Sequence, residues 1–200
     1  MLKSFYKKDV VEAGCDEAGR GCLAGSVFAA AVIFPPEYTN PDINDSKQLS
    51  SRERNHLREI IIRDAKAWGV GIVTPQEIDR INILNASILA MHRALDALCV
   101  RPQHLIIDGN RFRRYGDTPF QTVVKGDGKY ISIAAASILA KTFRDDYMIE
   151  LHRQYPDYGW DHNMGYPTPA HRQAIRLHGV TPYHRLSFNL LPPKQLDLFS

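Results

Sequence analysis

The chain has 200 residues, 44% of them hydrophobic and 24% charged, with a net charge of +3. This is the composition of an ordinary globular protein with one sizeable core, and it excludes disordered, collagen-like and low-complexity classes. No apolar run is long enough to cross a membrane and the first residues lack the apolar stretch of a signal peptide, so no membrane or export role is expected. The small positive charge permits a polyanionic partner without requiring one. Cys15, Cys22 and Cys99 are odd in number and match no zinc spacing, the pattern of reduced, mostly buried thiols in a cytoplasmic protein. The 8 histidines form no paired-ligand motif, and His56, His92 and His171, on predicted helices, are expected at the surface or at caps.

In chain order, Val10 to Cys15 and Ser26 to Phe34 read as apolar strands around a Gly-rich turn, hence a hairpin. Pro35 to Pro41 is a loop. Ser50 with Glu53 three residues on is a capping box, and it opens a helix running to about Lys66. Trp68 to Thr74 is a third strand, rich in β-branched residues. From Thr74-Pro75, helical segments reach Leu98, with Ile83, Leu84, Ile88, Leu89, Leu95 and Leu98 at helical spacing.

His104 to Ile107 is a short apolar strand ending at Asp108-Gly109, and Gln121 to Val124 another ending at Lys125-Gly126-Asp127. Ile131 to Gln154 is a long amphipathic helix whose Ala134-Ala135-Ala136-Ser137 patch allows close packing on a sheet. Pro169 to His178 is a further helix, stopped by Gly179. Strands come first as a hairpin and then alternate with helices, which predicts an α/β fold with a mixed sheet flanked by helices. The catalytic domain is expected over residues 1–190, including the C-terminal helices, with a flexible tail over 191–200.

Three predicted strand ends carry acids: Asp16-Glu17, Asp108 and Asp127. Sites in α/β sheets form where strands end in loops, and carboxylates there suit hard divalent cations. Gly19 and Gly21 let the backbone approach a ligand, and Arg20 between them can address a phosphate. Acid to hold metal beside base to hold phosphate is the chemistry of a phosphodiesterase. If the first strand lies between the hairpin partner and the Asp108 strand, the acids converge. Neighbours on a strand face opposite sides, so Asp16 and Glu17 reach one site only if the strand bends there. Taken alone, Asp108 before Gly109-Asn110 also suits an Asx-turn, and Asp127-Gly128 a plain turn. Asp145 is better placed for a helix-face ion pair with Lys141 than for a ligand role.

The motifs Asp16-Glu17-Ala18-Gly19-Arg20-Gly21, Asn44-Asp45-Ser46-Lys47, Asn82-Ile83-Leu84-Asn85-Ala86-Ser87 and Ile107-Asp108-Gly109-Asn110 occur in one order along the chain. Val124-Lys125-Gly126-Asp127, Ala135-Ala136-Ser137-Ile138-Leu139-Ala140-Lys141 and Gly165-Tyr166-Pro167-Thr168 continue it. From about Val11 to Phe188 this set resembles the bacterial ribonuclease HII family. The related ribonuclease HIII carries an extra N-terminal domain, for which there is no room before Val10.

The resemblance implies an RNase H-like fold and endonucleolytic cleavage of the RNA strand of RNA–DNA hybrids, including nicking 5′ to single ribonucleotides in duplex DNA. It assigns metal binding to Asp16, Glu17 and Asp108, with Asp127 as the fourth catalytic acid, and implies Mn²⁺ or Mg²⁺ in a two-metal mechanism. Four carboxylates overcompensate one divalent ion but suit two held about 4 Å apart. The resemblance further gives sensing of the 2′-hydroxyl to Gly19, Arg20 and Gly21, and packing on the next sugar to Tyr166, which without it reads as a turn aromatic anchoring a loop.

Ser46 and Lys47 are expected phosphate contacts, and Asn82 and Asn85 polar contacts to the duplex. Family members often carry a basic residue just before Gly-Tyr-Pro where this chain has Asn163-Met164, leaving His162 as a substitute. A monomer is expected. The alternatives are an RNase H-like nuclease acting on other DNA structures and a non-catalytic nucleic-acid-binding module.

After Pro192-Pro193, the segment Gln195-Leu196-Asp197-Leu198-Phe199 resembles the short peptide by which bacterial replication and repair proteins dock on the sliding clamp. Leu196, Leu198 and Phe199 would enter apolar pockets while Gln195 supplies a directional hydrogen bond. The competing reading folds the tail back so that Leu198 and Phe199 cover the protein's own core.

Overall fold

The computed structural model of the protein describes residues 1–191, apart from the side chain of Lys47. Strands β1 (Glu12–Ala18), β2 (Val27–Ile33), β3 (Ala67–Val73), β4 (His104–Asp108) and β5 (Phe120–Val123) form one sheet in the order β3-β2-β1-β4-β5. The first two pair antiparallel, as the hairpin pattern predicts, and β3 pairs antiparallel with β2. β4 and β5 run parallel to β1. β1 and β2 are joined directly, one helix links β2 to β3, and a longer one leads from β3 to β4, while an irregular loop without a helix joins β4 to β5.

Helices cover both faces. α1 (Ser51–Asp64) begins at the Ser50 capping box, where the Ser50 side chain accepts from the Glu53 amide and the Glu53 carboxylate from the Ser50 amide. α2 (Pro75–Asp96) has the same device at Thr74 and Glu77, with proline in the first turn. Long α3 (Ile131–Gln154) and shorter α5 (Pro169–His178) keep their predicted bounds, and α5 ends at Gly179. However, α3 is not amphipathic throughout, since every residue from Ile131 to Ala140 is buried between the sheet and its neighbours. One short helix, α4 (Trp160–Asn163), has no counterpart in the sequence pattern, being too short to show a period.

Alternation along β1 sorts the core. Ala13 and Cys15 face α2 together with Ala29, Ala31, Leu105 and Ile107. On the opposite face Ala30 and Val32 meet α1 and α3, including Ala134, Ala135 and Ala136. The approach of α3 is as close as the alanine patch predicts: a Cβ on Gly14 would stand 2.5 Å from the Ile133 nitrogen. α4 and α5 form a third unit, with Trp160, Ala174 and Ile175 packed on Leu23, Ala24, Met148 and Leu151.

One further expectation changes. His171 is not a surface or capping side chain but wholly buried, hydrogen-bonded to Trp160 Nε1 at 3.0 Å and to the Tyr166 carbonyl at 2.9 Å. Helical periodicity placed it on α5 but could not see the C-terminal segment that closes over it, where burial and the neighbouring His171 ring lower the pKa of His184 to about 4. Cys15 and Cys22 are buried, whereas Cys99 is exposed, and all three are free thiols. Among the described residues no helix is long and apolar enough to cross a membrane. The expected tail residues Gln195, Leu196, Leu198 and Phe199 lie outside the described residues.

Candidate active site

Strand order brings the acids together. β1 lies between β2 and β4, and the β1–β4 ladder runs from Glu12–His104 to Cys15–Ile107. Asp16 and Asp108 follow immediately on adjacent strands. The pairing of β1 with β2 continues residue for residue to Ala18–Phe28, so β1 does not bend between Asp16 and Glu17. The expected bend is replaced by a strand end: Asp16 faces α3, Glu17 faces α2, and the β4 ladder stops beside them. Both carboxylates therefore feel the charge of Asp108 from opposite faces of one strand terminus.

Asp16 is 5% exposed and accepts from the Glu17 amide at 2.7 Å. Burial raises its pKa well above the usual carboxylate range, and the charges of Glu17 and Asp108 raise it further. A hydrogen bond from Ser137 on α3 opposes that shift. The Ser137 hydroxyl also meets that of Ser46 at 2.9 Å. Ser46 is thus buried behind Asp16 rather than turned outward toward a phosphate. Its 3-10 turn, Ser46–Gln48, is pulled against α3, which no local sequence pattern encodes.

Glu17 is also raised, chiefly by burial, while an ion pair with Arg20 at 3.0 Å works against that. Asp108 Oδ1 accepts from the Gly126 amide at 2.7 Å, which ties the end of β4 to the turn carrying Asp127. Asp127 sits in the 3-10 turn Gly126–Gly128, 4% exposed, and accepts from the Gly128 amide at 3.0 Å. Asp145 pairs with Lys141 at 2.6 Å, the helix-face ion pair expected of it. Among the described residues no three His, Cys, Asp or Glu side chains already stand around an ion-sized space. The donor set nevertheless fits a hard cation: oxygen-only, and gathered in a buried place where mutual repulsion disfavours full ionisation.

The flanking elements carry the other predicted residues. Gly19 has φ +92°, Arg20 is half exposed, and open space surrounds Gly21. Asn82 breaks α2 with φ 64°, and its side chain caps the second half by accepting from the Asn85 amide at 3.1 Å. Asn85 donates to the Ile81 carbonyl at 2.9 Å. Both asparagines therefore hold the kink that sets α2 beside the acids. Tyr166, 40% exposed, follows a left-handed Met164, and its hydroxyl lies near Cys22. Asn163 holds this loop by accepting from the Gly165 amide and donating to the Tyr158 carbonyl. His162 is exposed and lies 3.5 Å from Asp161.

Sequence reasoning passed over several side chains. A cleft of about 40 Å³ beside Glu17 and Asp108 is also lined by Ser87 and Arg111. The Ser87 hydroxyl is buried without a hydrogen-bond partner among the described residues. Arg144 and Arg185 are wholly buried under the Gly19–Gly25 segment. One signal pointed to Arg144: it stands in a four-residue stripe with Ala136, Ala140 and Met148, a charged residue on the face that packs inward.

Comparison with known proteins places the chain in a family. The family model described as "Ribonuclease HII" matches residues 13–191. The ribonuclease HII of Bacteroides fragilis is 66% identical over 200 residues, covering 100% of both chains. Among solved structures, the ribonuclease H2 of Pyrococcus horikoshii superposes with a TM-score of 0.77 at 26% identity, covering 90% of this chain and 94% of that one. An Archaeoglobus fulgidus structure, of a PCNA:RNase HII complex, gives 0.74 at 25% identity and covers 94% and 98%. With that sheet, those acids at its strand ends and a full-length match of this identity, the chain belongs to the ribonuclease HII family and is a ribonuclease H.

Proposed function

We propose that this ribonuclease H is an endonuclease that cleaves the RNA strand of RNA–DNA hybrids and nicks 5′ to single ribonucleotides embedded in duplex DNA. The observation that carries the reading is the convergence of Asp16, Glu17 and Asp108 at one strand end, with the Arg20 turn and Tyr166 beside it. Asp16, Glu17 and Asp108 would hold divalent ions, Mg²⁺ or Mn²⁺, with Asp127 completing the acidic set. Such ions, when bound, polarise water and stabilise charge on the scissile phosphate, the two-metal chemistry of phosphodiester hydrolysis.

The chain's own residues do the rest. The Glu17 amide and the Ser137 hydroxyl fix Asp16, and Ser46 supports Ser137, so this carboxylate is oriented before substrate arrives. Glu17 holds Arg20 at the edge of the acids through their ion pair, and the half-exposed guanidinium is placed to meet a phosphate. Gly19 and Gly21 let the backbone of their turn approach the 2′-hydroxyl, which donates and accepts. Tyr166 packs on the deoxyribose of the following nucleotide, where an added hydroxyl would fit less well. Asn82 and Asn85 position α2 along the duplex. A phosphate contact by Lys47 is part of this reading, although its side chain is not described.

Three substrates test it: a duplex with one ribonucleotide, an all-DNA duplex and a long hybrid, each with Mg²⁺, Mn²⁺ or EDTA. Nicking of the first, giving a 3′-hydroxyl, and cleavage of the third are expected with either metal and not with EDTA. Cutting of the all-DNA duplex would favour a nuclease for other DNA structures, and binding without cutting a non-catalytic module.

The tail belongs to the same proposal. The enzyme acts as a monomer in the cytoplasm, brought to newly replicated DNA when Gln195, Leu196, Leu198 and Phe199 dock on the sliding clamp. The PCNA complex of the Archaeoglobus relative supports a clamp as partner. Deleting residues 195–200 should abolish binding to the cognate clamp in calorimetry and leave cleavage of short duplexes unchanged. Retained binding, or a large fall in thermal stability, would favour the folded-back tail.

A further inference from the structure

Two wholly buried arginines underlie the candidate sugar-reading elements, and among the described residues neither has a carboxylate within 4.0 Å, although the more distant charge of Asp79 attracts Arg185. Arg144 on α3 donates from Nε to the Ser26 carbonyl at 3.2 Å, from Nη2 to Ala24 at 3.2 Å and from Nη1 to Met164 at 2.9 Å. Arg185 donates from Nε and Nη2 to the Gly25 carbonyl at 2.9 and 2.8 Å, and from Nη1 to the Arg20 carbonyl at 3.0 Å. All six bonds end on backbone oxygens of two segments, 20–26 and 164. A buried, unpaired charge is costly to keep, so a pair of them calls for a reason beyond packing.

The segments are also joined directly. The Leu23 amide donates to the Gly165 carbonyl at 2.7 Å, and the Cys22 thiol lies near the Tyr166 hydroxyl. The Arg144 and Lys141 cations lie about 6 Å from the Tyr166 ring, at 6.0 and 5.9 Å. A guanidinium offers five donors in a rigid planar fork, which suits it to hold several carbonyls in one fixed relation. Lysine, with one flexible ammonium, would not.

We infer that Arg144 and Arg185 are positioning residues forming a clamp that locks the Gly19-Arg20-Gly21 turn and the Tyr166 loop into one rigid reader of two successive sugars. Arg144 spans the two segments, Arg185 secures the turn through the Arg20 carbonyl, and Cys22 lies near the Tyr166 hydroxyl. The inference rests on the sugar-reading roles proposed above. Its consequence is that discrimination between a ribonucleotide–DNA junction and a continuous hybrid depends on residues that touch neither sugar.

A double-mutant cycle tests it. kcat/KM would be measured on a single-ribonucleotide duplex and on a long hybrid for wild type, Arg144→Met, Tyr166→Ala and the double variant. The ratio of the two values reads discrimination and is insensitive to a uniform loss of active enzyme. Arg144→Met should lower the ratio about tenfold or more, since misplacement of about 1 Å is costly in an enzyme site. In the Tyr166→Ala background the same change should lower it no further. An unchanged ratio in Arg144→Met, or losses that multiply in the double variant, overturns the clamp while leaving the role of Tyr166 intact. An unchanged ratio in Tyr166→Ala overturns the sugar-reading role itself, and the clamp with it. Should Arg144→Met not fold, Cys22→Ala replaces it in the cycle with the same expected non-additivity.

Discussion

Asp16→Asn and Asp108→Asn should each reduce turnover by on the order of 10³-fold or more, with fold and hybrid binding largely intact. Asparagine keeps the size of the side chain and one oxygen but removes the charge. In the Asp16 variant the bond from the Glu17 amide, 2.7 Å in the parent, survives, and in the Asp108 variant the bond from the Gly126 amide does. Neither change opens a cavity, and each relieves repulsion among buried carboxylates, so thermal stability should hold or rise. Loss of rate without loss of stability separates a site residue from a structural one. The measurement is single-turnover cleavage in Mg²⁺ or Mn²⁺ beside a thermal melt and a hybrid-binding titration. Turnover within tenfold of the parent for either variant would refute the assignment.

Gly19→Ala should cost both stability and rate. Gly19 has φ +92°, a region L side chains rarely adopt. Its Cβ would also stand 2.1 Å from Arg144 Nε and 2.6 Å from Cδ. An exposed arginine could swing away, but this one is wholly buried and held by three carbonyls. The turn must therefore move, and with it the backbone beside the 2′-hydroxyl. Backbone strain of roughly 1–2 kcal/mol adds to the displacement, and we expect about 10²-fold lower kcat/KM on a single-ribonucleotide duplex. Gly116→Ala is the control, since that glycine also has a positive φ, +52°, but no atom stands within 4 Å of where its Cβ would lie. Equal effects at both positions would show that the contact with Arg144 has no consequence.

What could be read from the residues alone was local. Ser50 with Glu53 and Thr74 with Pro75 announced α1 and α2, because a capping box is complete within four residues. Pro169–His178 was delimited by periodicity and terminators that need no distant partner. The acids were legible for the same reason, as carboxylates next to glycines at the ends of apolar runs. So was the Lys141–Asp145 pair, one helical turn apart.

What tertiary structure decided was which groups meet across the chain. Asp16 and Glu17 come close to Asp108 without a bend because β4, about ninety residues later in sequence, pairs with β1 and ends beside them. Ser46 turned inward because α3 brings Ser137 to it, a contact of sequence separation 91. His171 was buried, and Arg144 and Arg185 became supports of the Arg20 turn, through hydrogen bonds spanning as many as 165 residues. Composition and spacing determine the elements and supply the reactive groups, since caps, periodicity and turns are satisfied by near neighbours. Strand order and the closing of the C-terminal segment arise from burying apolar faces together, so the partners of each polar group are settled only when the whole core forms.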